Sequence, residues 1–281
     1  MKRNKSFTKI PFYFVATPIG NLSEFSNRAI EILNNVDFIA CEDTRVTNVL
    51  LSHYKISKPL ISLFEHNEKE KALEIINQIK KGLSGAYVSD AGYPLISDPG
   101  AILVNELLNN DIHISVVNGP SALLPALIGS GISTSSFYFH GFLPSKLNLS
   151  IEEECLLRER KESLIFYESP HRIQRTMNYL YNILGNRKVT LARELTKINE
   201  EYLYGTLEEF LTFDYTSIKG EIVIVVEGNT SSNIDKKFED AKKQVSLLLK
   251  ENYSLKEACK IVSLLNNVSK NALYRAFLTD N

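Results

Sequence analysis

The 281-residue sequence has only three cysteines, no tryptophan and almost no net charge. Cys41, Cys155 and Cys259 lie far apart and form no CxxC pair, so they predict neither a disulfide framework nor a cysteine metal site. A formal charge of −1 gives no global attraction to nucleic acid or to a membrane, so a polyanionic partner needs a local basic patch. No apolar run approaches the length of a membrane span, and no signal-peptide core follows the short basic segment 1–9. These absences predict a cytoplasmic protein that does not associate with membranes.

Several common sequence motifs are also missing. The chain has no GxGxxG after its first predicted strand, no GxxxxGK[ST] and no GxSxG. The usual dinucleotide fold, the P-loop and the nucleophile elbow are therefore not indicated. The five histidines lack metal-ligand spacing, so no metal site is predicted. Among them His66 and His171 follow predicted strands, where a positioning role or a substrate contact is expected.

Short apolar runs alternate with helical patterns along most of the chain. Five such runs in the first 120 residues predict a parallel α/β sheet, and they are 12–16, 38–41, 60–64, 86–89 and 113–117. A second series, 137–139, 164–167, 189–193, 202–204 and 222–226, is interrupted by turns and predicts a mixed sheet. We therefore expect two α/β domains over 1–118 and 119–230, with a helical extension over 231–281. The helix-breaking Gly129-Ser130-Gly131 is the alternative place for the domain boundary.

The segment from Val88 to Gly100 combines two Asp, two Gly and two Pro directly behind an apolar run. Gly permits positive φ and close approach of a ligand, Pro fixes φ, and Asp supplies acceptors. Because ligands of open α/β sheets bind beyond the carboxyl ends of the strands, this segment predicts a ligand-binding loop. An ordinary connection with capping Asp residues is the alternative.

Other strand ends carry polar clusters. Glu42-Asp43-Thr44-Arg45 and Glu65-His66-Asn67-Glu68 are denser in polar residues than helix capping requires, which favours a cleft. Ser121 is placed to cap the helix that runs through Ile128, and the free N–H groups of that helix start are an alternative anion site.

The last 51 residues are locally basic, with nine Lys or Arg against six Asp or Glu over 231–281. Two short helices are predicted there, one burying Ala258, Ile261 and Leu264 and the next burying Ala272, Leu273 and Phe277. Ser269 is expected to cap the second helix, and the spacing suits a helix-turn-helix. The pair is either a packed hairpin or a nucleic-acid contact through Lys256, Lys260, Lys270 and Arg275.

Taken together, eight blocks of this sequence resemble the ribosomal RNA small-subunit methyltransferase I group of the tetrapyrrole methylase superfamily. They are Ala16–Leu22, Cys41–Arg45, His66–Glu68, Val88–Gly100, Gly119–Ala122, Gly141–Pro144, Tyr167–Arg172 and Ala192–Lys197. The resemblance implies S-adenosylmethionine-dependent methylation of the ribose 2′-hydroxyl of a decoding-centre cytidine in 16S rRNA. It also implies two α/β domains with the cofactor between them, a homodimer, and a C-terminal extension that touches RNA.

The resemblance implies site residues as well. The expected cofactor wall consists of Asp90, Ala91, Gly92, Ser97, Asp98, Ser121, Ala122, Leu143, Pro144 and Ala192. Candidates for the base that activates the ribose hydroxyl are Glu42, Asp43, Glu194 and Lys197. Expected RNA contacts are Arg45, His66, Arg193, Lys256, Lys270 and Arg275. The chain departs from the family pattern at Tyr93, Asn118, His140 and Asn199, where Thr, Pro, an acidic residue and His are usual.

Two other classes of function remain open at this point. A tetrapyrrole or other small-molecule methyltransferase would bind the same cofactor but would not need a basic helical tail. A non-catalytic RNA-binding assembly protein would need the tail but not the Asp90 loop.

Overall fold

The computed structural model describes residues 10–230, 233–251, 253–266 and 268–279. The chain divides into two compact units. One holds both sheets and ends at Glu227, and the other begins at Gly228 and also includes Glu159–Lys161. Among the described residues, no helix is long and apolar enough to cross a membrane.

The first sheet has five parallel strands, as predicted. Its strands are β1 (Phe12–Val15), β2 (Phe38–Cys41), β3 (Leu60–Ser62), β4 (Gly85–Val88) and β5 (Ile114–Val117), in the order β3-β2-β4-β1-β5. The helices between them are α1 (Asn27–Asn35), α2 (Thr44–His53), α3 (Glu68–Lys80) and α4 (Ala101–Asn109).

Both faces of this sheet are covered, which explains its continuous apolar strands. All four residues of β2 and all four of β4 are buried. Tyr87 packs with Phe12 and Leu103 on one face, whereas Ala86 packs with Leu33 on the other. Because side chains alternate along a strand, helices on both faces require apolar residues at every position of a central strand.

The second sheet is mixed, which confirms the expectation from its turn residues. Its strands are β6 (Phe137–Phe142), β7 (Ser163–Glu168), β8 (Lys188–Arg193), β9 (Glu201–Thr206) and β10 (Ile222–Val226), in the order β6-β7-β10-β8-β9. Strands β6 and β7 pair in parallel, and the other three pairings are antiparallel. Helices α5 (Leu123–Gly129), α6 (Ile151–Glu159) and α7 (Ile173–Leu184) belong to the same half of the chain.

Strand β6 is longer than the sequence predicted. The apolar run ends at Phe139, but pairing with β7 continues to Phe142 across a β-bulge, because the register shifts between Phe139 and Gly141. Gly141 has a φ of 78°, a value that glycine adopts without steric cost. The extra residue at the bulge is His140.

Helix α5 corrects the prediction for Ser121. The residue at the N-cap position is Ala122, whose methyl side chain cannot accept a hydrogen bond, so Ser121 is not the cap. Ala126 and Leu127 of α5 are buried with Ile165 and Val225, so this helix packs on the second sheet. The domain limits themselves stay predictions.

The second unit contains α8 (Asn233–Lys250), α9 (Leu255–Asn266) and α10 (Lys270–Thr279). Its core corrects the predicted face of α9. Ala258 is buried, as expected, but Ile261 and Leu264 are 37% and 77% exposed, and Cys259 and Val262 are buried instead. The reason is that α9 packs against α8 as well as α10, which rotates the buried stripe by about one residue. In α10, Leu273 is buried and Phe277 packs against this core as predicted. The backbone N–H of Ala272 donates to Oγ of Ser269 at 3.3 Å, which confirms the predicted cap.

Candidate active site

A cavity of about 880 Å³ lies between the strand ends of the first sheet and one face of the second. Ten of the predicted site residues line it: Glu42, Asp90, Ala91, Gly92, Ser97, Asp98, Ser121, Ala122, Glu194 and Lys197. The sequence therefore located residues that the fold brings together from four separate segments. Among the described residues, no group of His, Cys, Asp or Glu side chains is arranged to hold a metal ion.

The loop after β4 is fastened to the turn after β1. Thr17 and Gly92 exchange two backbone hydrogen bonds of 2.9 and 3.1 Å. The Thr17 hydroxyl donates to the Ser89 carbonyl at 3.0 Å, and the Ser89 hydroxyl donates to the Gly92 carbonyl at 3.1 Å. The two segments thus form one rigid floor beneath the cavity.

Four residues of this loop have positive φ. Gly92 and Gly100 have φ values of 77° and 128°, while Leu95 and Ser97 adopt 72° and 67° despite carrying side chains. Strained backbone of this kind is concentrated at ligand sites. Tyr93, where the family has Thr, has a defined role, since its hydroxyl accepts a hydrogen bond of 3.2 Å from the backbone N–H of Gly119.

Three carboxyl groups from the first sheet line the cavity. Burial raises the pKa of Asp98 to about 6, and the negative charges of Glu42 and Asp90 contribute to the shift. Burial also raises the pKa of Glu42 and that of Asp90, each with a neighbouring carboxylate adding to the effect. Carboxylates that raise one another's pKa are poised to receive a cation.

Asp43 and Arg45 lie outside this cavity and pair with each other. Asp43 is the N-cap of α2, where it accepts from the backbone N–H of Arg45 at 2.8 Å, and its carboxylate lies 2.6 Å from the Arg45 guanidinium. Hydrogen bonds from Arg45 lower the pKa of Asp43 to about 2. Such a carboxylate is too weak a base to take a proton efficiently from a hydroxyl.

An ion pair from the second half of the chain also lines the cavity, as do Glu168 and Glu221. Glu194 has a φ of 51°, and its Oε1 accepts from Nζ of Lys197 at 2.8 Å. Two glycines make room for this pair. A methyl group at Gly20 would lie 2.6 Å from Cε of Lys197, and one at Gly220 would collide with Oε1 of Glu194. The sequence does not reveal these two contacts, because each joins residues more than 20 positions apart.

Aromatic side chains on the second sheet form the opposite wall, and the sequence analysis did not single them out. The ring centroid of Tyr167 lies 4.9 Å from that of Phe139 and 5.7 Å from that of Phe142. Burial raises the pKa of Tyr167 to about 12, so its hydroxyl is protonated at neutral pH. These side chains are apolar and alternate along β6 and β7, which is also what a buried sheet requires. The sequence pattern therefore did not distinguish residues of the cavity wall from residues of the hydrophobic core.

The block from Tyr167 to Arg172 has a structural role beside the cavity. The Glu168 carboxylate is buried and accepts from the Thr176 hydroxyl at 2.5 Å and from the Ser169 N–H at 2.8 Å. Arg172 lies 3.6 Å from Glu168 and donates to the carbonyls of Leu143 and Pro144 at 3.1 and 3.0 Å. This arrangement holds the segment that follows β6.

Several expected cofactor and RNA contacts lie away from the cavity lining. The Leu143 side chain packs in the core of the second sheet, Pro144 is exposed, and Ala192 is fully buried. Arg193 is paired with Glu201 at 2.6 Å.

The remaining predicted RNA contacts are at the surface or in the second unit. His66 is exposed in the turn before α3. Lys256 on α9 and Arg275 on α10 are exposed, and Lys270 at the start of α10 is partly buried. Their roles remain predictions.

Comparison with known proteins assigns this fold and cavity to a class of methyl-transferring enzymes. The sequence model described as "Tetrapyrrole (Corrin/Porphyrin) Methylases" matches residues 11–211, and the chain belongs to this family. Solved structures agree on the fold. A uroporphyrin-III-C-methyltransferase from Thermus thermophilus aligns with a TM-score of 0.55 at 16% identity, covering 77% of this chain and 93% of the other. A cobalt precorrin-4 methyltransferase aligns with a TM-score of 0.58 at 15% identity, covering 77% and 94%.

Curated relatives define a narrower group. The "Ribosomal RNA small subunit methyltransferase I" of Bacillus subtilis (strain 168) is 40% identical over 271 residues, which cover 94% of this chain and 93% of the relative. The protein with the same name in Haemophilus influenzae is 42% identical over 267 residues, covering 94% of both. The resemblance drawn from the sequence blocks is confirmed.

Proposed function

We propose that this protein transfers the methyl group of S-adenosylmethionine to the ribose 2′-hydroxyl of a decoding-centre cytidine in 16S rRNA. The observation that carries the proposal is the cavity itself, which gathers residues of the blocks that carry the resemblance, in a chain 40 to 42% identical to proteins named small-subunit rRNA methyltransferases. The lining combines carboxylates with aromatic rings, as expected for a site that aligns a cationic donor with an RNA acceptor.

The cavity suits S-adenosylmethionine in charge and in shape. The bound cofactor supplies a methyl group on a positively charged sulfonium. Asp90 and Asp98 would hold its cationic portion, because ionised carboxylates in a partly buried site attract positive charge strongly. Gly92, Ser121 and Ala122 line the same space and leave room for close backbone contact. These residues fit the group without any metal.

The chief task of the protein in such a displacement is to hold donor and acceptor in line. Good alignment supplies about 7 to 11 kcal/mol of the barrier reduction. Two sets of hydrogen bonds would help to keep this alignment: the bridge between Thr17 and Gly92 beneath the cavity, and the bond from Arg172 to the Leu143 carbonyl after β6. Closure of the cavity by the ion pair of Glu194 and Lys197 would help to exclude water.

Glu42 is the base that the geometry favours. It lies in the cavity and has a raised pKa because of burial, whereas Asp43 is outside the cavity with its pKa near 2. A base with a higher pKa takes a proton from a ribose hydroxyl more efficiently, and a positioned base contributes about 10² to 10⁴ in rate. Glu194 and Lys197 are engaged with each other, so we assign them to contact with the acceptor nucleotide.

RNA contacts extend beyond the cavity in this proposal. Arg45 has a side chain that is 89% exposed, and together with His66 and Arg193 it would meet the phosphates around the target nucleotide. Lys256, Lys270 and Arg275 would add contacts from the helical unit. We also propose a homodimer, which sedimentation equilibrium of the purified protein tests directly.

The test is transfer of labelled methyl from S-adenosylmethionine to 30S subunits that lack this modification, followed by mapping of ribose methylation. We expect label at a single decoding-centre cytidine. Label on a tetrapyrrole but not on 30S subunits would redirect the function to a small-molecule acceptor. Cofactor binding without label on either acceptor would contradict the proposed reaction.

A further inference from the structure

The β-bulge in β6 changes which way an aromatic ring faces. Along a regular strand, residues 139 and 142 would point to opposite faces, because side chains alternate. The bulge inserts one residue between them, so Phe139 pairs with Ile165 and Phe142 pairs with Tyr167. Since Ile165 and Tyr167 share a face of β7, the bulge brings Phe142 to the face that carries Phe139. Bulges beside active sites commonly re-aim a side chain in this way.

Phe142 is exposed although it lines the cavity. Its side chain is 54% exposed, whereas Phe139 and Tyr167 in the same wall are partly buried. The rings of Phe142 and Tyr167 meet at 65°, so they do not stack on each other. An exposed phenyl ring at the mouth of a cavity costs free energy that a planar ligand would recover by covering it.

The backbone on both sides of Phe142 is held in place. Gly141 is buried, and a methyl group added there would lie 3.2 Å from Oγ of Ser97, so the loop that follows β4 packs directly against Gly141. On the other side, Arg172 donates hydrogen bonds to the carbonyls of Leu143 and Pro144. Because the backbone that carries the ring is already ordered, ligand binding has only the side chain left to order.

The cavity is large for a single-ligand pocket, and its lining extends from the Asp90 loop to the exposed ring of Phe142. Its volume of about 880 Å³ lies near the upper end of the ~300 to 1,000 Å³ range for pockets that hold one drug-sized molecule. The exposed ring of Phe142 on the second sheet gives the lining an apolar, planar surface, which suits a second, planar ligand.

We propose that Phe142 is the stacking platform for the base of the nucleotide that receives the methyl group. The proposal rests on the proposed function and deepens it, because it assigns a residue that positions the acceptor. Proteins that recognise single-stranded or flipped-out bases stack them on aromatic side chains. Phe142 therefore acts on binding and orientation of RNA and takes no part in the proton transfer.

The experiment compares Phe142→Leu and Phe142→Tyr with the wild type in methyl transfer to unmodified 30S subunits, while the Kd for S-adenosylmethionine is measured without RNA. We expect Phe142→Leu to raise KM for 30S subunits about tenfold, in keeping with the usual contribution of base–aromatic stacking. Phe142→Tyr keeps the ring and should stay within about twofold of the wild type, and the cofactor Kd should be unchanged in both variants.

Phe137→Leu is the matched control, since Phe137 lies at the other end of β6, is 42% exposed and is not part of the cavity lining. Thermal unfolding of each variant shows whether it is folded. An unchanged KM in Phe142→Leu, or an equal increase of KM in Phe137→Leu, would contradict the proposal that Phe142 stacks on the acceptor base. A weakened cofactor Kd in Phe142→Leu also overturns it, because the ring then serves S-adenosylmethionine. If the wild-type protein transfers no label to 30S subunits, the proposed function is contradicted, and the role of Phe142 that depends on it is contradicted as well.

Discussion

The two sheets contribute different side chains to one cavity, although both contribute charge, since Glu168, Glu194 and Glu221 of the second half line it as well. The first sheet supplies Glu42, Asp90 and Asp98 from loops at its strand ends, whereas the second supplies the rings of Phe139, Phe142 and Tyr167 from within its strands. Loops beyond a parallel sheet are free to carry charge because they do not build the core. Strand residues of a mixed sheet must be apolar on the packed face, so they recognise ligands by shape. This difference suggests separate roles, with the first sheet holding a cation and the second receiving a planar acceptor.

The largest expected effect is on kcat and concerns Glu42, whose substitution should slow the chemical step without weakening cofactor binding. We expect Glu42→Gln to lower kcat by about 100-fold or more, because an amide cannot accept the hydroxyl proton. The Kd for S-adenosylmethionine should change little. Single-turnover methyl transfer to 30S subunits measures the chemical step.

Asp43→Asn is the control for Glu42→Gln, since asparagine can still cap α2 and the residue lies outside the cavity. If both substitutions lower kcat equally, Glu42 is not the specific base.

The next largest effect is on cofactor affinity, and it tests whether Asp98 of the first sheet binds the cationic portion of S-adenosylmethionine. We expect Asp98→Asn to weaken S-adenosylmethionine binding about tenfold, which corresponds to about 1.4 kcal/mol. In the wild type, Asp98 has a pKa of about 6, so it is largely protonated at pH 5 and ionised at pH 7.5. Cofactor affinity should therefore rise across this range, and the rise should be smaller in Asp98→Asn. Isothermal titration calorimetry at several pH values measures both effects.

The raised pKa of Asp98 has the opposite effect on stability: cofactor affinity should rise with pH, whereas the free energy of unfolding should fall. Because the pKa of Asp98 is raised in the folded protein, the folded state binds the proton more tightly than the unfolded state. The contribution of Asp98 to the free energy of unfolding therefore falls as pH rises from about 4 to 6. Urea denaturation of wild type and Asp98→Asn, without cofactor, would reveal the difference. A wild type with the same pH dependence as the variant would contradict the raised pKa.

A third substitution disturbs the ion pair that the second sheet contributes to the cavity lining. Gly220→Ala should displace Glu194 from Lys197, because the added methyl group collides with Oε1 of Glu194. We expect a loss of stability beyond the ~1 to 3 kcal/mol that a strained φ alone costs, together with reduced methyl transfer.

The control is Gly131→Ala. Gly131 has a φ of 69° against 78° at Gly220, but in the described part of the chain no atom lies within 4 Å of a methyl group added there. Equal losses of stability and activity in both variants would show that backbone strain, and not the ion pair, explains the result.

The smallest expected effect concerns the helical unit. Replacing Lys256, Lys270 and Arg275 together with Ala should raise KM for 30S subunits about threefold at moderate salt. The dependence of KM on salt should weaken by roughly one power of salt concentration for each phosphate that the protein no longer neutralises. Cofactor affinity should not change. Substituting Lys242 and Lys243, which are paired with Glu239 and Asp240 on α8, is the control. A similar effect of both sets would indicate general charge attraction without a defined contact.

The sequence predicted those elements whose own composition indicates whether they are buried or form a loop. Strands β2 and β4 are apolar at every position because helices cover both faces, and the composition of the loop from Val88 to Gly100 predicted a loop that does line the cavity. What the sequence could not predict depends on packing between distant segments. The buried face of α9 depends on α8, and the length of β6 depends on a bulge that only its pairing with β7 reveals. Ser121 resembles a cap, but the chain enters α5 one residue later than the pattern suggested.

The contact between Gly20 and Lys197 also has a consequence for the order of folding. Synthesis begins at the N-terminus, so the first sheet and its acidic loop emerge well before the strands that follow Lys197. A nascent chain that ends before this lysine has the carboxylates but neither the complete second sheet nor the side chain that packs over Gly20. If the cavity binds S-adenosylmethionine as proposed, the capacity to bind it therefore arises late in synthesis, after both sheets are complete.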